Sequence, residues 1–500
     1  MDFGYYRYIP FFLTTFLIFH DACSRYIAPL AMIGGMVKKN CSDPQDDGEF
    51  CWSDELKANF IGAHFYGHAL QMIPAYLAVR VGFNGSLRFS TLLCGVIQLT
   101  VPLTVRYSAP LSVVLQGVKG FAAGLFMAGN LDCARKWALG DEGKLVISLC
   151  GMMLFLGSGT GPFMAGLLTE RINWTFPFYI SGAIFTLLFL MQCVFVPDDP
   201  TTAWLMSARE KSQFETKQQS EQIAKTGDQA ARYKVSLTSI LRRPYLYCLT
   251  IYQVANLWVF FPEFTSVPFY FNEFLGLDTD VLSYLSLGLS LTSAISVAVW
   301  KCSLTFLDNK FSWLKCRVSM LIVPLIVRSV NLAILPLTSN VAVSIVLLVV
   351  NNIMVATAFA GGLVTVTYEL DPFNGPVVKS ILNGVGQCPG FLVPLIEAAI
   401  THVDQNEVGY WEEYARRWKL FFVMCGGVGL VGAMSVVVGV LGWRDEWKRH
   451  PSLIVEDTED MDKGKKLGGG INEYVFLEDN ENASIESEER QESATVNNCN

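Results

Sequence analysis

The sequence predicts an all-α membrane protein of about twelve transmembrane helices, arranged as two six-helix halves. Hydrophobic residues make up 52% of its 500 residues and charged residues only 16%, whereas soluble domains carry about 25% charged residues. The apolar residues are also grouped into blocks of roughly 20, the length that crosses a hydrocarbon core about 30 Å thick. These features disfavour a soluble multidomain protein.

The positions of the apolar blocks define the predicted domains. Residues 1–196 and 245–441 form the two halves, separated by a hydrophilic linker at 197–244 and followed by an acidic tail at 442–500 that is predicted to be disordered. The twelve blocks lie at about 8–36, 58–79, 88–106, 110–131, 145–168, 175–196, 245–270, 281–306, 318–337, 341–368, 380–402 and 418–441.

The distribution of basic residues predicts the orientation in the membrane. An even number of spans places both termini on one side, and the segments on that side contain 21 Lys and Arg residues against eight on the other. Cytoplasmic loops are enriched in these residues, so the termini and the linker are predicted to be cytoplasmic. The net charge of −8 originates in the tail, and it therefore indicates neither nucleic acid nor an acidic substrate as a partner.

The first predicted outside loop, residues 37–57, contains two cysteines that differ from the others because they lie in a polar segment. Cys41 and Cys51 would form a disulfide if the loop is extracytoplasmic, and the alternative is two free thiols. Glycosylation sequons begin at Asn40 and Asn173, and both fall on predicted outside loops.

The acidic tail contains one short motif that suggests a partner. Tyr474-Val-Phe-Leu477 has the Tyr-x-x-apolar form of an endocytic signal, which a sorting adaptor would recognise. Four-residue patterns of this kind are common, so a chance occurrence is an equally good interpretation.

Several local patterns occur in the order and spacing of a known transporter family. They lie at 64–76 (HFYGHALQMIPAY), 137–144, 174–182, 268–276 (PFYFNEFLG) and 383–390. With its 6+6 organisation, the chain resembles the anion:cation symporter family of the major facilitator superfamily, which includes vesicular glutamate transporters, the lysosomal proton/sialic-acid transporter and type I sodium–phosphate cotransporters. The resemblance implies a two-half transporter fold and a small organic anion or phosphate as solute.

The chain also departs from this family at charged positions. Members that carry organic anions commonly have arginines in helices four and seven, and the matching residues here are Gln116 and Asn256. The helix-four glutamate is replaced by Ala123, and the helix-two histidine of the vesicular glutamate carriers by Ile61. The resemblance therefore implies a divergent member, with Gln116 and Asn256 in the substrate site.

Ionisable residues at bilayer depth are expensive and are usually functional. In the first span, Asp21 and Arg25 are separated by four residues and so lie on one helix face. One interpretation is a self-neutralising pair that helps insertion. In the other interpretation, the planar guanidinium of Arg25 binds an anion in the substrate site, and Asp21 couples an ion. The resemblance favours this second interpretation, because the family has an arginine in helix one.

Histidines and a lysine add further polar positions to the first half. His20 is a candidate for ion coupling, and His64 and His68, one helical turn apart, are candidates for binding substrate, because histidine titrates near neutral pH. The alternative is that the histidines only make polar contacts between helices. Lys119 shares a helix face with Gln116 and would restore the charge missing there, unless it extends to the membrane interface.

The second half contains fewer intramembrane charges. Glu263 lies between two prolines of the seventh span, where a bent helix is typical of carrier sites, and Glu397 lies in the eleventh span. Both are predicted to couple an ion. For Glu397, and for Arg328 in the ninth span, the alternatives are a buried partner or a contact to lipid headgroups.

Three charged residues lie at predicted cytoplasmic helix ends. Arg80, Glu142 and Lys144 fit the salt bridges that hold such bundles closed on one side. They are predicted to act in gating and not in binding the solute.

These observations predict a secondary active transporter, coupled to H⁺ or Na⁺ and working by alternating access, in the plasma membrane or a vesicle or lysosome membrane. A transport-silent receptor or scaffold on the same fold is an alternative, because two arginines are missing, and a carrier of neutral or cationic solutes is another. The sequence contains no nucleotide-binding loop, metal-ligand spacing or nucleophile motif, so an enzyme, a metal and a cofactor are not expected.

Overall fold

A computed structural model describes most of the chain as helical. In the residues that the structure describes, Val37 and Phe50 form an isolated β-bridge that belongs to no sheet. The predicted tail begins at 442, but the last helix continues to Trp447. The rest of the tail, the motif at 474–477 and Asn40 lie outside the described residues. The described residues are 5–38, 41, 48–139, 142–226, 244–310, 313–359, 375–403 and 409–447.

The helices of the first half occupy the first six predicted blocks and continue into the linker. They are α1 Tyr8–Arg25, α2 Ile27–Ala31, α3 Asp54–His68, α4 Met72–Val81, α5 Phe83–Tyr107, α6 Ala109–Ala123, α7 Leu125–Trp137, α8 Glu142–Arg171, α9 Phe176–Phe195 and the linker helix α10 Ala208–Thr226.

The helices of the second half occupy the other six predicted blocks. They are α11 Pro244–Thr265, α12 Val267–Phe274, α13 Thr279–Lys310, α14 Trp313–Ile334, α15 Val341–Ala358, α16 Gly375–Gly386, α17 Pro389–Thr401 and α18 Tyr410–Trp447.

In the first half, two of the predicted spans are broken next to a proline, which interrupts the backbone hydrogen bonds. A proline ring clashes with the carbonyl group four residues earlier. Pro29 therefore disfavours a helical bond to the carbonyl of Arg25, where α1 ends and the chain bends by 41°. In the same way, Pro74 disfavours a helical bond to the carbonyl of Leu70, which lies in the break between α3 and α4.

The spans identify a multi-pass membrane protein. In the described part of the chain, nine helices are long and apolar enough to cross a membrane, and ten if α1 and its bent continuation are one span. The other two predicted blocks contain α3 with α4, and α11. The helix positions therefore agree with the prediction of about twelve spans.

Glycines allow the two halves to approach closely at several points. A Cβ atom on Gly166 of α8 would overlap the Ser283 hydroxyl of α13, and one on Gly390 of α17 would overlap the Phe65 ring of α3. Small residues permit such close helix packing in membranes. A third such position is Gly151 of α8, where a Cβ atom would overlap the ring of Phe359, which follows α15.

The halves also meet through an aromatic contact, formed by Tyr26 and Phe65 of the first half and Phe260, Phe261 and Phe264 of the second. Phe65 and Phe261 have ring centroids 4.6 Å apart, and Tyr26 and Phe264 5.1 Å. Phe260 packs against Phe264 at 5.0 Å. The buried apolar core is therefore continuous from one half to the other.

A loop clasp, formed by Glu49, Arg106 and Trp174, holds the first loop on the bundle. Arg106 donates to both Glu49 carboxylate oxygens, at 2.7 and 3.1 Å, and the Trp174 indole donates to one of them at 2.7 Å. Cys41 and Cys51, the pair that the sequence favours, are joined by a disulfide. The loop is thus fixed to the end of α5 and the start of α9.

We expect the loop clasp to make the free energy of unfolding depend on pH, and only under acidic conditions. Hydrogen bonds from Arg106 hold the pKa of Glu49 below its ordinary value, which is about 4.3. The stabilisation is then present above that value and is lost as the pH falls through the lowered pKa. Because both partners are partly exposed, it should be at most about 1 kcal/mol.

Thermal unfolding of detergent-solubilised protein from pH 7 to pH 3 measures this effect. Glu49→Gln should unfold at a lower temperature than the wild type above pH 5, and the difference should shrink below pH 4. Arg171→Gln, an exposed change near the same loop, should have little effect. A difference that stays constant down to pH 3 would show that the Glu49 charge is not its origin.

Candidate functional site

The Asp21–Arg25 pair predicted from the sequence is the centre of a buried polar cluster in the first half. The two side chains form an ion pair along α1, and Asp21 is only 2% exposed. The Nη2 atom of Arg25 lies 3.3 Å from Nε2 of His68. The other ring nitrogen of His68 lies 3.3 Å from the carbonyl oxygen of Gly120, so α3 and α6 both position the ring.

Lys119 belongs to the same cluster and does not extend to the membrane interface. The residue is 1% exposed, and its ammonium group donates to Gln98 Oε1 at 2.9 Å and to Ser24 Oγ at 3.4 Å. It therefore points towards α5 and α1. Gln116, which precedes it by one turn of α6, is buried as well.

Several atoms of this cluster have no hydrogen-bond partner among the described residues. Both ring nitrogens of His64 are unpartnered, as are Oδ1 of Asp21, Nε of Arg25 and Nε2 of Gln98. Buried polar atoms are normally hydrogen-bonded, so these atoms could bind a polar ligand. We call Asp21, Arg25, His64, His68 and Lys119 the N-terminal cluster.

The charge of the N-terminal cluster favours an anion. With both histidines neutral, Arg25 and Lys119 are balanced by the single carboxylate of Asp21. The excess positive charge is buried, and such charges are stable only when they are paired. A ligand with a carboxylate or phosphate group would supply the missing negative charge.

His20, the third histidine predicted in this region, bonds to a different helix. One of its ring nitrogens lies 2.8 Å from the carbonyl oxygen of Ser181 on α9, and its ring packs on Phe185 at 4.4 Å. These contacts hold α1 against α9 and account for a polar residue at this position.

A second buried network, the C-terminal cluster, lies in the other half and is centred on Arg328 of α14. Arg328 is fully buried and donates from Nη1 to Asn256 at 2.8 Å. Its Nη2 atom is 3.9 Å from Oε1 of Glu263. Asn352 donates to the other oxygen of Glu263 at 3.2 Å and accepts from Ser293 at 2.7 Å.

The C-terminal cluster resolves the two interpretations of Arg328: it is a buried partner and does not face lipid headgroups. The guanidinium of Arg328 bonds directly to Asn256, so a positive charge lies beside the position at which family members have an arginine. Sequence reasoning missed this role, since one charged residue in an apolar span does not reveal which neighbouring helix it faces.

The predicted coupling residue Glu397 lies in a different environment from Glu263. It accepts a hydrogen bond from Ser266, which occupies the break between α11 and α12. Asn173, a predicted glycosylation site, is exposed, and its modification stays a prediction. In the described part of the chain, no group of three or more His, Cys, Asp or Glu side chains is placed to hold a metal ion.

Glu142, one of the predicted gating residues, pairs with an arginine that the sequence analysis did not single out. It accepts from Arg7 at 2.9 Å and from Tyr8 at 2.8 Å, and Arg7 also pairs with Glu210 of the linker helix at 3.1 Å. The side chains of the other predicted gating residues, Arg80 and Lys144, lie outside the described part. This network ties the N-terminus, α8 and the linker together.

A chain of ring contacts connects the two charged clusters. The guanidinium of Arg328 lies 6.0 Å from the Phe260 ring, which belongs to the aromatic contact. At the other end of that contact, Phe65 packs on His64 at 5.4 Å. A solute that reached both clusters would have to separate these rings.

Known proteins with similar sequences are transporters. The family model described as Major Facilitator Superfamily matches residues 58–394. Sialin of Homo sapiens is 22% identical over 437 residues, which cover 85% of this chain and 82% of that protein. Sodium-dependent phosphate transport protein 3 of Mus musculus is 22% identical over 406 residues, which cover 80% of this chain and 82% of that protein. The predicted resemblance is thus confirmed, and it agrees with a function that is not enzymatic.

A solved structure confirms the predicted fold. A bacterial homologue of the human lysosomal transporter Spinster, in an inward-facing and unoccupied conformation, matches with a TM-score of 0.65 at 12% identity. The match covers 87% of this chain and 97% of that one. At this identity the likeness concerns the fold alone.

Proposed function

We propose that this chain, which belongs to the major facilitator superfamily, is a secondary active transporter of a small anionic solute. The observation that carries the proposal is the N-terminal cluster, where the buried Lys119 and the largely buried Arg25 are balanced by one carboxylate. Arg25 Nε and both nitrogens of His64 remain without partners among the described residues. A bound carboxylate or phosphate would satisfy the charge and the hydrogen bonds together.

Alternating access follows from the way the halves meet. The solute site of such carriers lies between two halves that rock against each other. Here the N-terminal cluster adjoins the aromatic contact, and glycines of α8 and α17 bring the halves together. Rocking of the halves would open the bundle to each side of the membrane in turn, so that the solute enters on one side and leaves on the other.

The loop disulfide supports the predicted orientation. Disulfides persist in oxidising compartments, so the loop of Cys41 and Cys51 would face the outside of the cell or the lumen of an organelle. The linker and both termini would then be cytoplasmic. The membrane itself would be the plasma membrane or that of a vesicle or lysosome.

Two other functions are compatible with the fold. A transport-silent receptor or scaffold is favoured by one observation, the uncharged Gln116 where transporters of organic anions have an arginine. A carrier of neutral or cationic solutes is disfavoured, because the excess buried positive charge of Arg25 and Lys119 would repel a cation.

Uptake into proteoliposomes tests the proposal. The panel contains inorganic phosphate, glutamate and sialic acid, with xylose as a neutral and choline as a cationic control, each with and without a pH or sodium gradient. We expect at least one anion to accumulate and its unlabelled form to compete. If cooperatively folding protein moved none of the anions, the scaffold function would be supported.

A further inference from the structure

We propose that the C-terminal cluster couples transport to protons: Glu263 binds one proton, and this releases Arg328 to bind an anionic group of the solute. The inference rests on the proposed transport function. It names the coupling ion, which family membership leaves open, and it assigns a binding role to Arg328. The argument starts from the incomplete bonding of this pair.

Arg328 and Glu263 form a loose ion pair in a fully buried place. Nη2 and Oε1 are 3.9 Å apart, beyond hydrogen-bonding distance. Nε and Nη2 of Arg328 and Oε1 of Glu263 have no hydrogen-bond partner among the described residues. A structural ion pair is stabilised by complete hydrogen bonding. In this pair, two donor atoms of Arg328 and one acceptor atom of Glu263 stay free. An ion pair whose members exchange partners during transport requires such free atoms.

The surroundings of Glu263 favour a proton over a sodium ion. A bound metal cation would lie next to the guanidinium of Arg328 and be repelled by it. It would also need several oxygen ligands, but the Asn256 side-chain oxygen already accepts from Arg328, and the Asn352 oxygen accepts from Ser293. A proton needs only one carboxylate oxygen.

Among the described residues, the other groups next to Arg328 and Glu263 carry no charge that could balance either of these two side chains. Tyr252, on the same helix as Glu263, is the remaining ionisable side chain that interacts with Arg328 in the described part. The neighbouring helices contribute the uncharged Asn351 and Asn352 from α15 and Ser293 from α13. The charge of this site therefore depends on Glu263 and Arg328 alone.

Protonation of Glu263 thus leaves a buried, unpaired cation. An unpaired charge at this depth is costly, so Arg328 then favours an anion. The reverse also holds by linkage: an anion on Arg328 raises the proton affinity of Glu263. The proton and the anionic group bind together, which is the requirement for proton–anion symport. Phe260 packs near the guanidinium of Arg328. Its ring would keep the solute away from this group until the rings of the aromatic contact move apart.

Infrared difference spectra of the reconstituted protein between pH 7.5 and pH 5.5 test the proton site without any solute. The wild type should gain a protonated-carboxyl band that Glu263→Gln lacks. In Arg328→Gln, the lost positive charge favours the protonated form, so the band should be present in the absolute spectra at both pH values and should cancel in the difference spectrum. Glu412→Gln, an exposed acid of the same half, should behave like the wild type. A band that persists unchanged in Glu263→Gln would overturn the proposal.

Flux measurements test the coupling. With glutamate and sialic acid as probes, Glu263→Gln should lose at least tenfold in accumulation driven by a pH gradient but keep exchange of labelled for unlabelled anion. Arg328→Gln should lose both. Gradient-driven accumulation that survives in Glu263→Gln would contradict the inference. If the wild type moved neither probe, the proposed function would fail for them, while the infrared bands would still decide where the proton binds.

Discussion

Replacing Arg25 with glutamine is expected to abolish anion uptake and to destabilise the protein. Asp21 is 2% exposed and is ion-paired with Arg25. Removing one partner of a buried pair typically costs about 3–5 kcal/mol, because the other charge stays buried without compensation. Thermal unfolding in detergent and uptake of phosphate, glutamate and sialic acid into proteoliposomes measure the two effects separately.

A double variant distinguishes an anion anchor from a pair that only assists insertion. Asp21→Asn with Arg25→Gln removes both charges, so stability should recover much of its loss, while uptake should not. Recovery of uptake in the double variant would refute a binding role for Arg25. Lys57→Gln, which breaks the exposed pair with Asp54, is the matched control and should change stability by less than about 1 kcal/mol.

Gly67→Ala is expected to destabilise the protein strongly, although it adds only one methyl group. A Cβ atom at Gly67 of α3 would overlap the backbone carbonyl oxygen of Gly117 on α6. Backbone atoms cannot move aside as a flexible side chain can. The helices would have to separate, which should cost more than about 3 kcal/mol, and the contact of His68 with Gly120 would be lost.

Gly117→Ala provides the matched control for this prediction. A Cβ atom there would lie 3.6 Å from the carbonyl oxygen of Ala63, an ordinary van der Waals distance. The thermal unfolding temperature of this variant should stay close to that of the wild type, whereas Gly67→Ala should lower it strongly. Equal behaviour of the two variants would mean that α3 and α6 are farther apart than the structure shows.

The spans and their local polar pairs were predictable from the sequence. Block length predicts the spans. The breaks near Pro29 and Pro74 were not predictable in this way, because other prolines, such as Pro102 and Pro162, lie inside continuous helices. The four-residue separation of Asp21 and Arg25 places them on one face, and they do form an ion pair. Each of the two predictable features depends on neighbours along one helix, which the sequence displays directly.

Contacts between helices that are distant in sequence were not predictable. Helical periodicity shows that Lys119 and Arg328 lie on particular faces, but it does not show that these faces meet Gln98 and Asn256. Glu142 illustrates the same limit, because its arginine comes from the N-terminus, 135 residues away. Only the packing of whole helices determines such partners.

The aromatic contact gives the equilibrium between closed and open halves a characteristic temperature dependence. Parting the rings of Tyr26, Phe65, Phe261 and Phe264 would expose apolar surface to the water that enters with the solute. Such exposure has a positive heat-capacity change, and the attraction between apolar surfaces weakens on cooling. Cold should therefore favour the open arrangement, and the balance between the two arrangements should follow a curved dependence on temperature.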